Sequence, residues 1–282
     1  MGSEDVRDLA GEIAARLRAA GTEKRAIGEK AYLKSALDFF GVTVWETRRS
    51  VREALRARPE LDRAALLALV EALWQEPVHE LRVAAYEALD ARGALLVAED
   101  LALVERLLRE SKTWALVDGL AEHVAGGLVE RFPALNATLD RWAADEDFWL
   151  RRSALLALLR PLRRGAGDFE RFARYADAML EEREFFIRKA IGWVLREVAK
   201  RRPQQVAAWL APRTHRLSGV TLREAVKYLP AAEREALLAA FKAKRPAALT
   251  PSGPSLPRPL SPTPASWERG AIRRCWNQKR SG

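Results

Sequence analysis

The 282-residue chain is 49% apolar and 30% charged, a composition typical of a folded protein in water and a length sufficient for a large core. It has no apolar run long enough to span a bilayer, and its acidic N-terminus lacks the apolar core of a secretion signal. The single cysteine, Cys275, excludes a disulfide framework and a cysteine-rich metal site, so we expect a cytoplasmic protein.

The net charge of +10 is divided equally between a short C-terminal stretch and the much longer rest of the chain, so the charge density differs between them. Residues 246–282 contain six Lys or Arg and one Glu, whereas residues 1–245 contain 42 basic and 37 acidic residues. The larger part is therefore only mildly basic. Such an excess favours a nucleic-acid surface without requiring one.

Helical periodicity runs through residues 1–245, where Ala, Leu, Arg and Glu dominate and strand-like alternation is absent. Short turn signals such as "AAGTE", "ARPELD", "RGAGD" and "KRRPQQ" interrupt this pattern, and Pro59, Pro133 and Pro203 stand beside the expected helix junctions. The sequence predicts an all-α domain over residues 1–245. Residues 246–282 are dense in Pro, Ser, Gly and Thr, which predicts a disordered basic tail.

A repeat of about 35 residues becomes visible when the helical segments are aligned. Its apolar anchors are spaced by 35, 34, 37 and 35 residues, and four of the five are followed directly by Arg. The anchors are Leu81, Leu116, Leu150, Ile187 and Leu222. This pattern predicts an α-solenoid of HEAT-like two-helix repeats, in which a concave groove is the usual binding surface.

Trp193 does not join the apolar stripe of its own segment, "EFFIRKAIGWVLREVAKRR". On a helical wheel it falls roughly 140° from the centre of that stripe, on the same face as Lys189 and Lys200. Two interpretations remain open at this point. Trp193 packs against an adjacent repeat, or it is a surface aromatic residue that lies among cations in a groove.

Trp114 and Asp118 stand at i and i+4, so they share one face of an earlier helix. Asp118 also lies roughly 140° from its buried stripe and has no Lys or Arg at i±3 or i±4. An isolated Asp is usually a solvated residue. Its pairing with a tryptophan makes a functional carboxylate the competing hypothesis.

At these residues the chain resembles a known family, the AlkD family of HEAT-like-repeat alkylpurine DNA glycosylases. The resemblance rests on "TWALVD", "FWLRRSALL" and "FFIRKAIGWVLREVAK", and "AYLKSALDFFGVTVWETRR" is similar to the family's N-terminal motif. It extends from about Ala31 to about Leu229. Thr113 and Ala115 depart from the family pattern, which often has two adjacent tryptophans followed by an acidic residue.

The resemblance implies roles for particular residues. Asp118 matches the catalytic aspartate, Trp114 and Trp193 would flank the damaged nucleotide, and Arg152 would hold a phosphate near the lesion. The cations expected to contact DNA are Arg151, Arg188, Lys189 and Lys200.

The implied reaction is hydrolysis of the N-glycosidic bond of cationic N3- or N7-alkylated purines in duplex DNA, without base flipping. A cationic base leaves without protonation, and the carboxylate and indole faces stabilise the oxocarbenium-like sugar. The resemblance implies a monomer without cofactor or membrane partner, and the scattered His79, His123 and His215 suggest no metal site. The alternative is a non-catalytic HEAT-like scaffold that binds DNA or a protein.

Overall fold

The computed structural model describes residues 2–243, and within this range all regular secondary structure is helical apart from one isolated bridge between Asp38 and Val78. The predicted all-α class is confirmed for these residues. The α-helices are α1 (Ser3–Ala20), α2 (Glu23–Leu33), α3 (Val44–Arg56), α4 (Arg63–Gln75), α5 (His79–Ala91), α6 (Leu101–Ser111), α7 (Trp114–Gly119), α8 (Gly126–Arg131), α9 (Asn136–Trp142), α10 (Phe148–Ala157), α11 (Leu159–Arg163), α12 (Phe169–Ala178), α13 (Phe185–Ala199), α14 (Pro203–Leu210), α15 (Gly219–Ala225) and α16 (Ala231–Ala243).

Short polar side chains set where several of these helices begin. Each accepts a hydrogen bond from a backbone N–H in the first turn, which satisfies a donor that has no partner within the helix. These capping residues are Thr43 before α3, Asp62 before α4, Asp147 before α10, Asp168 before α12 and Ser218 before α15.

The five anchors of the sequence repeat all lie in the core. Each is at most 3% exposed, and each belongs to a different helix. They are Leu81 in α5, Leu116 in α7, Leu150 in α10, Ile187 in α13 and Leu222 in α15. The apolar period therefore marks the residues on which successive helices pack.

Hydrogen bonds between side chains also join residues that are about one repeat apart in the sequence. Arg109 donates two hydrogen bonds to Asp145, 36 residues further along the chain. Glu105 accepts from Arg141 and from the indole of Trp142, at separations of 36 and 37 residues. The hydrogen bond from Arg141 lowers the pKa of Glu105 to about 2, against the opposing effect of burial. Charged side chains thus tie neighbouring repeats together around the apolar core.

Gly192 allows an unusually close approach between α13 and α15. A Cβ atom at this position would stand 2.8 Å from the Cβ of Glu224 and 2.8 Å from the carbonyl oxygen of Thr221. Both are closer than real Cβ contacts, and the second involves backbone. A side chain at position 192 would therefore force the two helices apart.

We expect Gly192→Ala to destabilise the fold by about 1–3 kcal/mol, the usual cost of overpacking, although alanine favours helix. Gly11 is the matched control, since it lies in α1 and a Cβ there would meet nothing within 4 Å. Gly11→Ala should stabilise by about 0.5–1 kcal/mol. Urea unfolding of both variants measures the difference, and equal stabilisation by both would refute the close approach.

Met1–Lys244 form one compact unit. No helix within residues 2–243 is long and apolar enough to cross a membrane. The predicted tail, residues 246–282, lies outside the described residues, as does Cys275.

Candidate active site

Trp114 and Asp118 lie on α7, whose start is fixed by the side chain of Thr113. Both residues are half-buried, as expected for a helix face that is off the core stripe. The ring of Tyr32, at the end of α2, stands edge-on to Trp114 with 6.2 Å between ring centroids and an interplanar angle of 83°. One face of α7 therefore presents the Asp118 carboxylate beside the Trp114 indole, and the Tyr32 ring packs against that indole.

Asp118 is held by an arginine from another helix. Arg152 on α10 donates from Nε to one carboxylate oxygen at 2.8 Å and from Nη2 to the other at 2.9 Å. The side chain of Asp118 is 17% exposed and that of Arg152 only 3%. The helical wheel showed no cation near Asp118 because this partner is 34 residues away in the sequence.

Arg152 makes a third contact, donating from Nη1 to the carbonyl oxygen of Phe186 on α13. Its guanidinium is buried and bonded on three nitrogens to the protein itself. The expected contact of Arg152 with a DNA phosphate stays a prediction; in this structure its guanidinium donates to Asp118 and Phe186. Arg152 thus joins α7, α10 and α13, and it fixes the orientation of the Asp118 carboxylate.

The helix widens directly after Asp118. Leu120–Ala125 form a π-helical segment between α7 and α8, an irregularity that is frequent at functional sites. A Cβ at Gly119 would stand 2.6 Å from the ring of Tyr86, so this tyrosine packs against the backbone next to Asp118. Burial and the nearby Glu87 raise the pKa of Tyr86. Sequence reasoning missed Tyr86, which sits inside a repeat segment and carries no signal of its own.

Trp193 is only 8% exposed, so its prediction as an off-core surface residue is wrong. Every residue from Ala190 to Ala199 is buried. The reason is that α15 covers the face of α13 that the wheel left outside. Thr221 on α15, for example, donates to the carbonyl oxygen of Arg188 at 3.1 Å. The burial of Trp193 fits the other interpretation, packing against an adjacent repeat, and its role beside the damaged nucleotide stays a prediction.

The four cations expected to contact DNA all have acceptors within the protein. Lys200 is exposed, whereas the other three are half-buried. Their contacts are Arg151 with the Glu182 carboxylate, Arg188 with the Glu182 carbonyl, Lys189 with Glu224 and Lys200 with Glu197. Their roles towards DNA stay predictions. Any such role must operate from side chains that are already fixed by acidic or carbonyl groups.

Within residues 2–243 no group of three or more His, Cys, Asp or Glu side chains could hold a metal ion. His79 is buried and stacks on Phe39, with ring centroids 4.7 Å apart. Burial lowers its pKa to about 4. This histidine belongs to the packing of the N-terminal helices.

The sequence profile of the DNA alkylation repair enzyme family matches residues 13–229. The chain belongs to this family. The resemblance to AlkD proteins noted in the sequence is thereby confirmed, and the match begins upstream of the segment quoted for it. The pair Trp114 and Asp118, with its partner Arg152, lies within the matched region. No curated protein shows significant similarity to the chain.

Three solved structures are similar to the chain over most of their own length. A predicted DNA alkylation repair enzyme from Enterococcus faecalis is 25% identical with a TM-score of 0.66, over 75% of this chain and 97% of that one. AlkD2 from Streptococcus mutans is 17% identical with a TM-score of 0.54, over 74% and 100%. Protein smu.31 from Streptococcus mutans UA159 is 17% identical with a TM-score of 0.53, over 66% and 93%. The last two show the fold alone.

Proposed function

We propose that this member of the DNA alkylation repair enzyme family is a monofunctional DNA glycosylase. It hydrolyses the N-glycosidic bond of cationic N3- or N7-alkylated purines in duplex DNA without flipping the base. The observation that carries this proposal is the Asp118 carboxylate, held in a fixed orientation by the buried Arg152 and placed on the same helix face as Trp114.

The chemistry needs little more than this arrangement. Alkylation at N3 or N7 gives the purine a positive charge, so it departs as a neutral base and no general acid is required. The sugar then develops oxocarbenium character. A carboxylate held in place by the protein stabilises that cation without having to reorganise first, and an indole face adds a cation–π contribution.

Arg152 leaves part of the carboxylate available for this role. An ionised carboxylate has about four lone-pair positions, and the bidentate contact occupies one on each oxygen. The remaining positions can accept from the attacking water and face the sugar cation. Asp118 thus orients water as well as offsetting charge.

The fold that supports this site is proposed to be an α-solenoid of HEAT-like repeats with duplex DNA in its concave groove. The buried anchors at the repeat interval support it, as do the side-chain bonds between residues about 35 positions apart. In such an array each repeat contacts chiefly its neighbours. A groove of this kind engages the backbone of a long duplex and needs no enclosed pocket for a base.

The test is incubation with a duplex that carries a single N7-methylguanine. The protein in excess should generate abasic sites faster than the base is lost spontaneously from the same duplex without protein. A duplex with guanine at that position is the control and should stay intact. If the protein binds the methylated duplex and the base is lost only at the spontaneous rate, the non-catalytic scaffold is the correct function.

A further inference from the structure

One buried carboxylate collects three cations at the contact between α13 and α15. Glu224 is 7% exposed, and its Oε1 accepts from Lys189 Nζ at 2.8 Å and from Lys227 Nζ at 2.7 Å. Its Oε2 accepts from Arg196. Burial alone would raise the pKa of Glu224, but the hydrogen bonds from Lys189 and Lys227 and the charge of Arg196 lower it to about 2.

Gly192 makes this arrangement possible. It stands three residues after Lys189 and four before Arg196, so all three lie on one face of α13. Gly192 has no side chain, and this lets Glu224 approach closely. A Cβ atom at position 192 would stand only 2.8 Å from the Cβ of Glu224. The carboxylate therefore rests over the glycine and reaches the cations on either side of it.

The charges around Glu224 do not balance. Arg196 also pairs with Glu197 at 3.4 Å. Lys189 and Lys227, by contrast, share the Glu224 carboxylate, so a surplus of positive charge remains beside the two lysines. The two ammonium groups share Oε1 of Glu224 and so lie within about 5.5 Å of each other. At that distance they would repel each other without the carboxylate between them. Their side chains are partly open to solvent, at 26% for Lys189 and 48% for Lys227.

We propose that Glu224 is a positioning residue that holds Lys189 and Lys227 as a paired binding site for one phosphate group of duplex DNA. Each ammonium group has three donors, and only one is directed at Glu224. The donors that remain suit the two anionic oxygens of a phosphodiester. Neither Lys227 nor Glu224 carries a signal in the sequence that distinguishes it from an ordinary surface charge.

Lys189 lies on the same helix as a residue that supports the proposed active site. The inference therefore rests on the proposed function. Lys189 follows Phe186 by three residues, which is about 4.5 Å along the axis of α13. The carbonyl of Phe186 is the group that anchors Arg152, and Arg152 holds Asp118. A phosphate bound at Lys189 and Lys227 would thus fix the DNA strand close to the carboxylate.

The first test measures affinity for an undamaged duplex as a function of salt. Lys227→Gln should weaken binding and reduce the slope of log K against log salt by about 0.9, the value for one phosphate contact. Lys242→Gln, at an exposed lysine of α16, is the matched control and should leave the slope unchanged. If Lys227→Gln changes the slope no more than Lys242→Gln does, there is no phosphate site at Lys227.

The second test separates positioning from simple electrostatics. Removing a negative charge by Glu224→Gln would raise DNA affinity if charge alone mattered. We expect affinity to fall several-fold instead, because a neutral amide oxygen holds the two ammonium groups less firmly than a carboxylate does. Glu224→Asp keeps the charge and shortens the side chain, so it should also weaken binding. Thermal melts establish whether each variant folds. If Glu224→Gln does not fold, the DNA affinity of Glu224→Asp decides the question. Affinity at or above that of the native protein in a folded variant overturns the positioning role.

Excision of N7-methylguanine is measured separately on the same proteins. A native protein that excises the base, together with an unchanged salt slope in Lys227→Gln, would reject the phosphate site and keep the glycosylase. A reduced slope in a protein that excises nothing would keep the site and reject the glycosylase.

Discussion

Asp118→Asn is expected to lower single-turnover excision of N7-methylguanine by about 10- to 1000-fold, since removal of one electrostatic stabiliser from an active site costs up to about 1000-fold. The amide still accepts a hydrogen bond from water, but it cannot offset the developing positive charge of the sugar. Rates are measured with the protein in saturating excess. The spontaneous loss of the cationic base is subtracted from each.

The same substitution breaks a buried ion pair, so its effect on folding must be measured too. Arg152 is 3% exposed and would lose its charged partner, a change that typically costs a few kcal/mol. Asp145→Asn is the matched control, because Asp145 is 14% exposed and accepts two hydrogen bonds from Arg109. It should destabilise less, because Arg109 is 40% exposed and keeps Glu105 as a partner, and it should leave excision almost unchanged.

Two outcomes would remove Asp118 from the mechanism. Excision at the native rate by Asp118→Asn would show that the carboxylate is not catalytic. An equal loss of excision in Asp145→Asn, with equal loss of stability in urea, would show that the effect comes from unfolding. Only a loss confined to Asp118→Asn supports the proposed chemistry.

Trp193→Ala is expected to destabilise the protein by about 3–5 kcal/mol, as for other buried tryptophans. The reason is its exposure of 8% on a helix whose neighbouring residues are all buried. Trp45→Ala is the control, since Trp45 is 55% exposed and contacts the guanidinium of Arg49 with 4.8 Å between that group and the ring centroid. It should cost less than about 1 kcal/mol.

Urea unfolding at constant pH compares the two variants directly. A cost below about 1 kcal/mol for Trp193→Ala would mean that the residue is a surface tryptophan after all. Trp193→Phe retains much of the packing volume, so it is the better variant in which to measure the rate of excision. It tests whether Trp193 also contributes to the reaction.

Periodicity was sufficient to predict the helices and their anchors, because burial of a stripe is a local property of a helical sequence. Leu116 and Ile187 could be assigned to the core from their neighbours alone. The wheel failed for Trp193 because it represents one helix in isolation. It contains no information on α15, which covers the opposite side of α13.

The contacts of the charged groups could not be predicted in the same way. Asp118 and Arg152 are 34 residues apart, and Lys189 and Glu224 are 35 apart, so no local window contains either pair. Counting charges identified the cations but gave no indication of which carboxylate each would meet. The helical wheel singled out Asp118, and the resemblance to the AlkD family added Arg152, but neither predicted the contact between them.

The π segment after Asp118 explains how core residues spaced four apart can all stay on one side of this helical stretch. Leu116, Leu120, Val124 and Leu128 recur at intervals of four, and all are buried. In a regular α-helix a four-residue interval advances by about 40° beyond a full turn, so three intervals would rotate the last residue by about 120° from the first. A segment with more residues per turn cancels much of that drift. The widened turn thus keeps a single line of core contacts in phase from α7 to α8, although the two helices are joined by an irregular segment.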